Sequence, residues 1–355
     1  MNIRTTRRGS SAPTISDVAR AAGVSLMTVS RVINNEANVR PVTREKVEAA
    51  IAQLNYSPNP AARSLAGAAQ IRIGMLYSNP SQSFLSEFLL GTLDQASRLD
   101  VQMVVEKCEI GDHEVEVARH LIAGGIDGVI LPPPLCEADA VLALLREARV
   151  PAVVVATGRP PEELPEATMA VRIDDRAAAE AMTRHVMTLG HRRIGFIRGN
   201  PNLTASARRY EGFRAALDAM GVPFDEDLVA PGLYNYRSGL DAAERLLDLA
   251  EPPTAIIASN DDMAAATVAV AHRRGLDVPS DLTVCGFDDT TLSTTIWPEL
   301  TTIHQPIADM ARAAVEMMAT VIRQKNAEAA PHRMLDYSLI RRQSDAAPRR
   351  RPRGI

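Results

Sequence analysis

Several features are missing from this 355-residue sequence, and each absence excludes a class of protein. No apolar run approaches the roughly 18 residues of a membrane-spanning helix, because charged residues, Gly or Pro interrupt every candidate. The basic start, Met1 to Arg8, is not followed by the apolar stretch of a secretory signal, so we expect a cytoplasmic protein with no membrane partner. The three cysteines, Cys108, Cys136 and Cys285, lie far apart and match no metal or redox spacing.

Catalytic motifs are also lacking. The sequence has no Gly-x-Ser-x-Gly elbow, no phosphate-binding loop and no His-Glu-x-x-His motif. His191 follows a predicted helix end and is expected to be structural. The pairs Asp261-Asp262 and Asp288-Asp289 are better explained as helix caps or hydroxyl acceptors than as a divalent-metal site. We therefore predict that the protein is not an enzyme and needs neither a cofactor nor a metal.

Charge is distributed unevenly along the chain, whose formal net charge is -4. Residues 1–70 carry nine Arg or Lys and four Asp or Glu, and residues 344–355 carry four Arg and one Asp. Residues 71–343 therefore have a net charge of -12. A cationic head on an anionic body predicts a polyanionic partner for the head alone.

Three short helices are predicted after a flexible basic arm at residues 1–13. Thr14 and Asp17 have the spacing of a capping box at the start of the first helix, and Gly23 can end that helix. Ser25 can cap a second helix, and Thr43 can cap a third. Three helices with a glycine turn between the first two are typical of a helix-turn-helix domain.

Beyond residue 70, short runs rich in Val and Ile alternate with longer stretches of helical spacing. The predicted strands are Ile71–Leu76, Val101–Val105, Asp127–Leu131, Ala152–Ala156, Ile194–Ile197, Ala255–Ser259 and Leu282–Phe287. Such alternation indicates βαβ units, which place helices on both faces of a parallel sheet. The length allows two such sheets in addition to the head, so an α/β body is predicted.

Polar residues follow several of these strands, and ligands of open α/β sheets bind outside the carboxyl ends of the strands. The polar groups are Ser78-Asn79-Pro80, Arg208-Arg209, Ser259 to Asp262 and Phe287 to Thr290. Arg, Asn and Asp side chains converging on a cleft can bind vicinal hydroxyls or a carboxylate. For each motif taken singly, capping of the next helix is an equally good explanation.

Together these motifs resemble those of the lactose-repressor (LacI/GalR) family of bacterial transcription regulators. The head motifs are Thr14–Ser25, Thr28–Asn34, Thr43–Val47 and Leu54–Asn59, and the body motifs are Leu189–Ile194, Arg209–Phe213, Ser259–Asp261, Gly286–Asp289 and Leu300–Pro306. The resemblance implies an all-α helix-turn-helix DNA-binding domain at 14–58 and a hinge helix with linker at 59–69. It further implies an effector-binding and dimerisation core at 70–343 with two periplasmic-binding-protein-like lobes.

The resemblance also implies that the second helix enters the major groove of DNA. Leu26 and Met27 fall where the family reads bases, and Arg31 falls on its arginine contact, expected to a guanine. Leu26 and Met27 donate no hydrogen bonds, so they would read thymine methyl groups or groove shape. The expected phosphate contacts are Ser25, Thr28 and Asn34.

The hinge is expected to be a conditional helix. Asn59 can cap it, Pro60 is allowed at its first position and Gly67 can end it, but so short a helix is unstable alone in water. In the family it folds when two copies meet in the minor groove, where Leu65 would wedge between base pairs. The hinge residues expected at DNA are Asn59, Ala62 and Leu65. Effector binding that separates the two hinges would lower operator affinity.

For the cleft, the resemblance implies eight effector-binding residues: Asn79, Ser83, Phe84, Arg209, Tyr234, Asn260, Asp288 and Gln305. Arg209 matches a ligand-anchoring arginine, Asp288 a hydroxyl-accepting aspartate, and Tyr234 lies near an aromatic that stacks on a sugar. Asp174 or Asp175 is a further candidate. One departure is Ala156-Thr157, where some sugar-binding members have an acidic residue.

These features predict a homodimeric, cytoplasmic (nucleoid-associated) repressor of carbohydrate-utilisation genes. It would bind a palindromic double-stranded DNA operator and be released by a pentose, hexose or glycoside. A dimer is expected because residues 344–355 form a proline-broken, basic and disordered tail in place of a tetramer-forming leucine heptad. The alternatives are a corepressor-type regulator with a purine or other small ligand and a sugar-binding transport protein. The missing export signal and the DNA-binding head disfavour a transport protein.

Overall fold

The computed structural model describes residues 13–33, 38–54, 56, 70–109, 111, 113–324 and 331–349. The chain divides into two compact units, 1–70 and 71–355, and each is described by itself. Most of the predicted basic arm, the hinge segment at 59–69 and the end of the predicted tail at 350–355 lie outside the described residues. None of the helices in the described ranges is long and apolar enough to cross a membrane.

The described residues of the first unit form three helices: α1 (Ile15–Ala22), α2 (Leu26–Ile33) and α3 (Pro41–Leu54). At the start of α1, the Asp17 carboxylate accepts hydrogen bonds from the Thr14 backbone N–H at 2.9 Å and the Thr14 hydroxyl at 2.7 Å. Gly23 ends α1 with a φ of 64°, which favours glycine. Side chains from all three helices share one core: Val18, Ala19, Val29, Val32, Val47 and Ala50. The predicted helix-turn-helix architecture is confirmed.

One helix start in this unit differs from the prediction. Ser25 caps α2 as expected, because its hydroxyl accepts the Thr28 N–H at 3.2 Å. Thr43 does not cap α3, which begins earlier at Pro41, and the Arg40 carbonyl accepts the N–H of Thr43. The prediction was wrong because proline is favoured at the first helical position, where its missing N–H loses no hydrogen bond.

The second unit contains two α/β lobes. The strands of lobe 1 are β1 (Arg72–Tyr77), β2 (Gln102–Lys107), β3 (Gly128–Leu131), β4 (Ala152–Val155), β5 (Thr168–Arg172) and β11 (His332–Met334). They form a parallel sheet in the order β11-β5-β4-β3-β1-β2. Its helices are α4 (Gln82–Arg98), α5 (Glu114–Ala123), α6 (Asp139–Glu147) and α12 (Ile307–Gln324).

Lobe 2 has a smaller parallel sheet in the order β7-β6-β8-β9, made of β6 (Ile194–Ile197), β7 (Val229–Ala230), β8 (Ala255–Ala258) and β9 (Thr283–Cys285). Its helices are α7 (Asp175–Thr188), α8 (Thr204–Ala219), α9 (Tyr236–Leu247), α10 (Asp261–Arg273) and α11 (Leu292–Thr295). Beside this sheet, β10 (Thr302–His304) and β12 (Ser338–Ile340) pair antiparallel.

Within the described residues, the chain crosses between the lobes three times. The crossings lie between β5 and α7, between β10 and α12, and between β11 and β12. Each lobe is therefore assembled from segments that are distant in sequence. This arrangement confirms the predicted two-lobed core with parallel sheets.

The apolar runs predict the central strands well, because β3, β4, β6 and β8 are buried along their whole length. The sequence pattern does not predict β5, β7, β10, β11 or β12. These strands have two to five residues, and β11 is exposed throughout. Their conformation depends on a neighbouring strand more than on their own hydrophobicity.

Residues 341–349 form an ordered C-terminal strap on lobe 2. The Val284 N–H donates to the Ser344 carbonyl at 2.9 Å, and the Asp345 carboxylate accepts the Thr301 hydroxyl at 2.5 Å. His185 Nε2 lies 2.8 Å from the same carboxylate, and both Ser344 and Asp345 are buried. A disordered tail starting at residue 344 was therefore a wrong prediction. Composition did not predict the strap, because its hydrogen bonds are made to segments that are distant in sequence.

Replacing Asp345 with alanine is expected to destabilise lobe 2. The substitution leaves the Thr301 hydroxyl and the His185 ring without their partner. Removing one partner of a buried polar cluster typically costs about 2–4 kcal/mol in the free energy of unfolding. Urea unfolding measures the loss, with Asp336→Ala, at an exposed position, as the control. Equal stability of the two variants would contradict a structural role for the strap.

Candidate functional site

A cavity lies between the lobes at the carboxyl ends of the strands of both sheets, with an empty volume of about 510 Å³. Lobe 1 contributes residues that follow β1, β3 and β4, and lobe 2 contributes residues that follow β6, β7, β8 and β9. The lining residues are Asn79, Pro80, Ser81, Phe84, Pro133, Pro134, Ala156, Asn200, Leu203, Ala205, Arg209, Tyr234, Asn260, Asp288 and Gln305. This volume includes space that is open to solvent.

Arg209 of α8 is the buried cation of this cavity. Its Nε donates to Asp175 Oδ1 at 2.8 Å, its Nη1 to the Ser259 carbonyl at 2.6 Å, and its Nη2 to Gln305 Oε1 at 3.0 Å. Asp288 Oδ1 lies 3.6 Å from Nη1. Because three different guanidinium nitrogens have fixed partners, the orientation of Arg209 is determined by the ends of several elements.

Two aromatic side chains accompany this cation. The guanidinium carbon of Arg209 lies 3.6 Å from the ring centroid of Phe287 and 5.7 Å from that of Tyr234. Burial raises the pKa of Tyr234 to about 12, so its phenol is neutral at physiological pH. Tyr234 and Asp288 have φ angles of 60° and 111°, which cost about 1–3 kcal/mol each and are kept only where surrounding packing fixes them.

Burial also controls the acidic groups of the cavity. It raises the pKa of Asp288 well above the usual value, although the charge of Arg209 acts in the opposite direction. Burial likewise raises the pKa of Asp175, again opposed by Arg209. Acidic side chains of this kind exchange hydrogen bonds with hydroxyl groups. The cavity thus combines one permanent cation with acids suited to hydroxyl groups.

The amide side chains in the cavity are already hydrogen-bonded within the protein. Asn260 Oδ1 accepts the Met263 N–H at 3.1 Å, and its Nδ2 donates to the Tyr234 carbonyl at 3.1 Å. Asn79 Nδ2 donates to the Pro133 carbonyl at 3.0 Å. Asn260 therefore caps α10 as well as lining the cavity. By contrast, the buried Nε2 of Gln305 has no hydrogen-bond partner among the described residues.

The structure brings together seven of the eight residues expected at the effector. These are Asn79, Phe84, Arg209, Tyr234, Asn260, Asp288 and Gln305. Ser83 lines a neighbouring cavity at the mouth of the cleft instead, because it faces the Leu233–Asp241 side of lobe 2. Of the two further candidates, Asp175 bonds Arg209, whereas Asp174 is exposed and caps α7.

Sequence reasoning missed part of the lining. Ser81, Leu203 and Ala205 belong to the cavity, as do Pro133 and Pro134. The position of the proline pair directly after β3 could have indicated it, because ligands of open α/β sheets bind outside the carboxyl ends of the strands. Leu203 carried no such signal, because an isolated leucine is ordinarily a core residue.

Polar contacts join the lobes beside the cavity. The Ser81 hydroxyl of lobe 1 donates to Asp262 Oδ2 of lobe 2 at 2.6 Å. Farther along α4, Glu87 Oε1 accepts the Thr291 N–H of lobe 2 at 2.9 Å. Burial raises the pKa of both Asp262 and Glu87. These contacts can be exchanged for water if the lobes separate, which makes closure reversible.

Asp261, at the first turn of α10, is fully buried behind the cavity. Its Oδ2 accepts the Thr290 N–H at 2.8 Å, and its Oδ1 accepts the Thr302 hydroxyl at 2.7 Å. Burial raises its pKa to about 7, against the opposing effect of these hydrogen bonds. In the described part of the chain, no group of three or more His, Cys, Asp or Glu side chains could hold a metal ion.

The helical head presents the residues expected to read DNA. Leu26 and Met27 are 50% and 64% exposed, and Arg31 is exposed on the same helix. Val29 and Val32 supply the buried face of α2, so Met27 is not needed for the core. Ser25 is exposed and Thr28 is half-buried. The expected DNA contacts Asn34, Asn59, Ala62 and Leu65 lie outside the described residues.

A helix-turn-helix head joined to a two-lobed core with a cavity between its lobes defines a ligand-responsive DNA-binding regulator. The chain matches the model of "Bacterial regulatory proteins, lacI family" over residues 14–59 and that of a "Periplasmic binding protein-like domain" over residues 183–344. It is 33% identical over 327 residues to catabolite control protein A of Priestia megaterium, covering 90% of this chain and 97% of that protein.

Two solved structures extend the comparison. A Lac repressor dimer bound to operator and the anti-inducer ONPF has 28% identity and a TM-score of 0.77, covering 95% of this chain and 100% of that chain. A complex of the transcriptional regulator CelR with cellobiose has 33% identity and a TM-score of 0.71, covering 94% and 99%. The chain belongs to the lacI family of bacterial regulatory proteins. It is a DNA-binding transcriptional repressor and not an enzyme.

Replacing Asp261 with asparagine is expected to change how stability depends on pH. The folded state holds the Asp261 proton between the ordinary pKa of 3.8 and about 7, where the unfolded chain has released it. In the wild type, Asp261 therefore contributes to the free energy of unfolding at low pH. This contribution decreases as pH rises toward 7, by at most about 1.4 kcal/mol per pH unit. The asparagine variant lacks this contribution.

Urea unfolding at pH 5 and pH 7.5 measures the effect as the difference between wild type and variant. Asp218→Asn, at an exposed position, is the control and should show no pH-dependent difference. A constant difference for Asp261→Asn across the two pH values would mean that its hydrogen bonds keep the carboxylate ionised.

Proposed function

We propose that this protein is a dimeric repressor of carbohydrate-utilisation genes, released from a palindromic operator by a neutral sugar bound between its lobes. The supporting observation is the cavity around Arg209, whose guanidinium is paired with the Asp175 carboxylate and lies 3.6 Å from Asp288. Release follows if sugar binding shifts the paired lobes so that the two hinge segments cannot dock together. The hinge lies outside the described residues, and its docking is what the family resemblance implies.

Charge balance argues for a neutral ligand. The guanidinium of Arg209 is paired at 2.8 Å with the Asp175 carboxylate, so the cavity offers an anion no unbalanced positive charge. Removing an anion from water without a matching cation is costly. Hydroxyl groups, by contrast, can donate to carboxylates and accept from the guanidinium or from the Gln305 amide. This chemistry suits a pentose, a hexose or a glycoside.

The aromatic residues support the same ligand class. Phe84 and Tyr234 line the cavity, and a sugar ring has an apolar face that packs on aromatic rings. CelR, a relative of similar fold, is described in complex with cellobiose. We therefore favour a sugar over a purine, although an aromatic cavity could also stack a planar base.

A thermal-shift panel of pentoses, hexoses, disaccharides and purines tests this function. A ligand at 100 times its dissociation constant adds about 2.7 kcal/mol to stability, so a binder raises the unfolding temperature clearly. We expect a neutral sugar to do so and to weaken operator binding by about 5- to 150-fold, the usual range of allosteric coupling. Stabilisation by a purine alone, or tighter operator binding with ligand, would replace our proposal with the corepressor alternative.

Arg209→Lys provides the residue-level check in the same assay. Lysine keeps the positive charge beside Asp175 but cannot reproduce the fork of three bonded nitrogens. We expect the variant to bind the operator normally and to lose most of its thermal response to the sugar. The adjacent Arg208→Lys is the control, because Arg208 contacts the surface Glu211 instead. An unchanged thermal response of Arg209→Lys to the sugar would show that the effector does not bind at Arg209.

Arg31→Ala tests the DNA-binding surface independently. Loss of one arginine contact to a base is expected to cost about 1–3 kcal/mol, or roughly 5- to 150-fold in operator affinity, and to reduce discrimination against other sequences. Fluorescence anisotropy with operator and scrambled duplexes measures both quantities. Arg20→Ala is the control, because that exposed arginine pairs with Asp17 on α1. Selective binding at wild-type strength would contradict the assignment of Arg31.

A further inference from the structure

Glu137 forms a contact between the lobes that the sequence does not indicate. It ends the short 3₁₀ turn Leu135–Glu137 of lobe 1, and its side chain is only 4% exposed. Its Oε1 accepts hydrogen bonds from lobe 1, namely the Thr157 hydroxyl at 2.9 Å and the Gly158 N–H at 3.3 Å. Its Oε2 accepts from lobe 2, namely the Thr204 N–H at 2.8 Å and the Thr204 hydroxyl at 2.7 Å.

Helix α8 depends on this carboxylate for its N-terminal cap. The residue at its N-cap position is Leu203, whose side chain cannot accept a hydrogen bond. The first backbone N–H of α8, that of Thr204, is instead satisfied by Glu137 from the other lobe. A carboxylate at this end also interacts favourably with the partial positive charge of the helix N-terminus. The lobes therefore share one helix cap.

The backbones of the two lobes meet at the same place. A Cβ atom at Gly158 of lobe 1 would lie 2.3 Å from the Ala205 nitrogen of lobe 2, closer than real Cβ contacts allow. Glycine is thus required for this approach. Arg159, beside Glu137, has its Nη1 2.7 Å from Asp139 and its Nε 3.8 Å from Glu137, so a cation lies next to the shared carboxylate.

We propose that Glu137 is a positioning residue of the effector site, which holds the cleft closed by capping α8 across the lobes. Helix α8 carries Arg209, and the neighbouring Leu203, Ala205 and Ala156 line the cavity. Closure through Glu137 therefore fixes the guanidinium relative to lobe 1 before any ligand arrives. A larger closed population raises the apparent affinity for an effector in proportion to that population.

The effector consequence rests on the proposed function, but the cap itself does not. The test therefore uses ligand-free, full-length protein and native-state hydrogen exchange measured by mass spectrometry. Glu137→Ala removes both acceptors, and Glu137→Gln keeps the shape but has one acceptor oxygen to divide between the lobes. Glu162→Gln, an exposed glutamate on the next 3₁₀ turn, is the matched control.

We expect Glu137→Ala to speed exchange about tenfold or more in peptides covering residues 203–207, with an intermediate effect for Glu137→Gln and none for Glu162→Gln. Unchanged exchange at 203–207 would overturn the proposal. So would acceleration confined to residues 156–160, because that result would show that Glu137 only stabilises lobe 1.

Gly158→Ala keeps the test decisive if Glu137 variants do not fold. Its added methyl group would press on the Ala205 backbone and should open the same contact with Glu137 intact. We expect faster exchange at 203–207 in this variant as well, and wild-type exchange there would contradict the close approach of the lobes. No sugar is present in these measurements, so failure of the panel to find a sugar would leave their outcome unaffected.

Discussion

The body of this protein is organised around the buried guanidinium of Arg209. A buried cation is costly unless it is paired, and here its nitrogens bond Asp175, the Ser259 carbonyl and Gln305. These partners stand at the start of α7, the end of β8 and a crossing between the lobes. Because a buried ion pair contributes little net stability compared with apolar packing, its value lies in fixing the geometry of the cavity.

The lobes are held together beside this centre by polar contacts that water could replace. Ser81 bonds Asp262, Glu87 bonds Thr291, and Glu137 bonds Thr204. Such hydrogen bonds contribute modest net free energy, because water satisfies the same groups when they are exposed. A ligand that binds the closed lobes only slightly better than the open lobes can therefore shift the population between the two states. This sensitivity is the physical requirement for a switch.

In the helical head, some apolar side chains are buried and others are exposed. Val18, Val29 and Val47 are completely buried in its small core, while Leu26 and Met27 remain exposed on α2. Exposed apolar side chains at the start of a helix are costly in solution and suit contact with thymine methyl groups. The same helix therefore supplies both the packing that forms the domain and the exposed surface that we expect to face the operator.

Local chemistry was enough to predict much of the molecule. The capping pair Thr14 and Asp17, the Gly23 stop and the buried apolar strands are determined by nearby residues, and the structure has them where the pattern indicates. Asn79, Arg209, Asn260 and Asp288 also meet in the cavity, because parallel sheets bring the carboxyl ends of their strands to one edge. The positions of Phe84, Tyr234 and Gln305 there were expected from the family resemblance alone. Thr43 failed as a cap because Pro41 competes for the helix start.

Only the tertiary structure decided the remaining features. The order of Ser344 and Asp345, the pairing of Asp175 with Arg209 and the cap that Glu137 gives to α8 all join residues far apart in the chain. The residues next to them in sequence do not indicate these contacts, because each carboxylate meets its partner only when whole lobes pack together. The amino-acid pattern thus determines helices, strands and the edge where a ligand can bind, whereas burial and distance determine which charges are paired there.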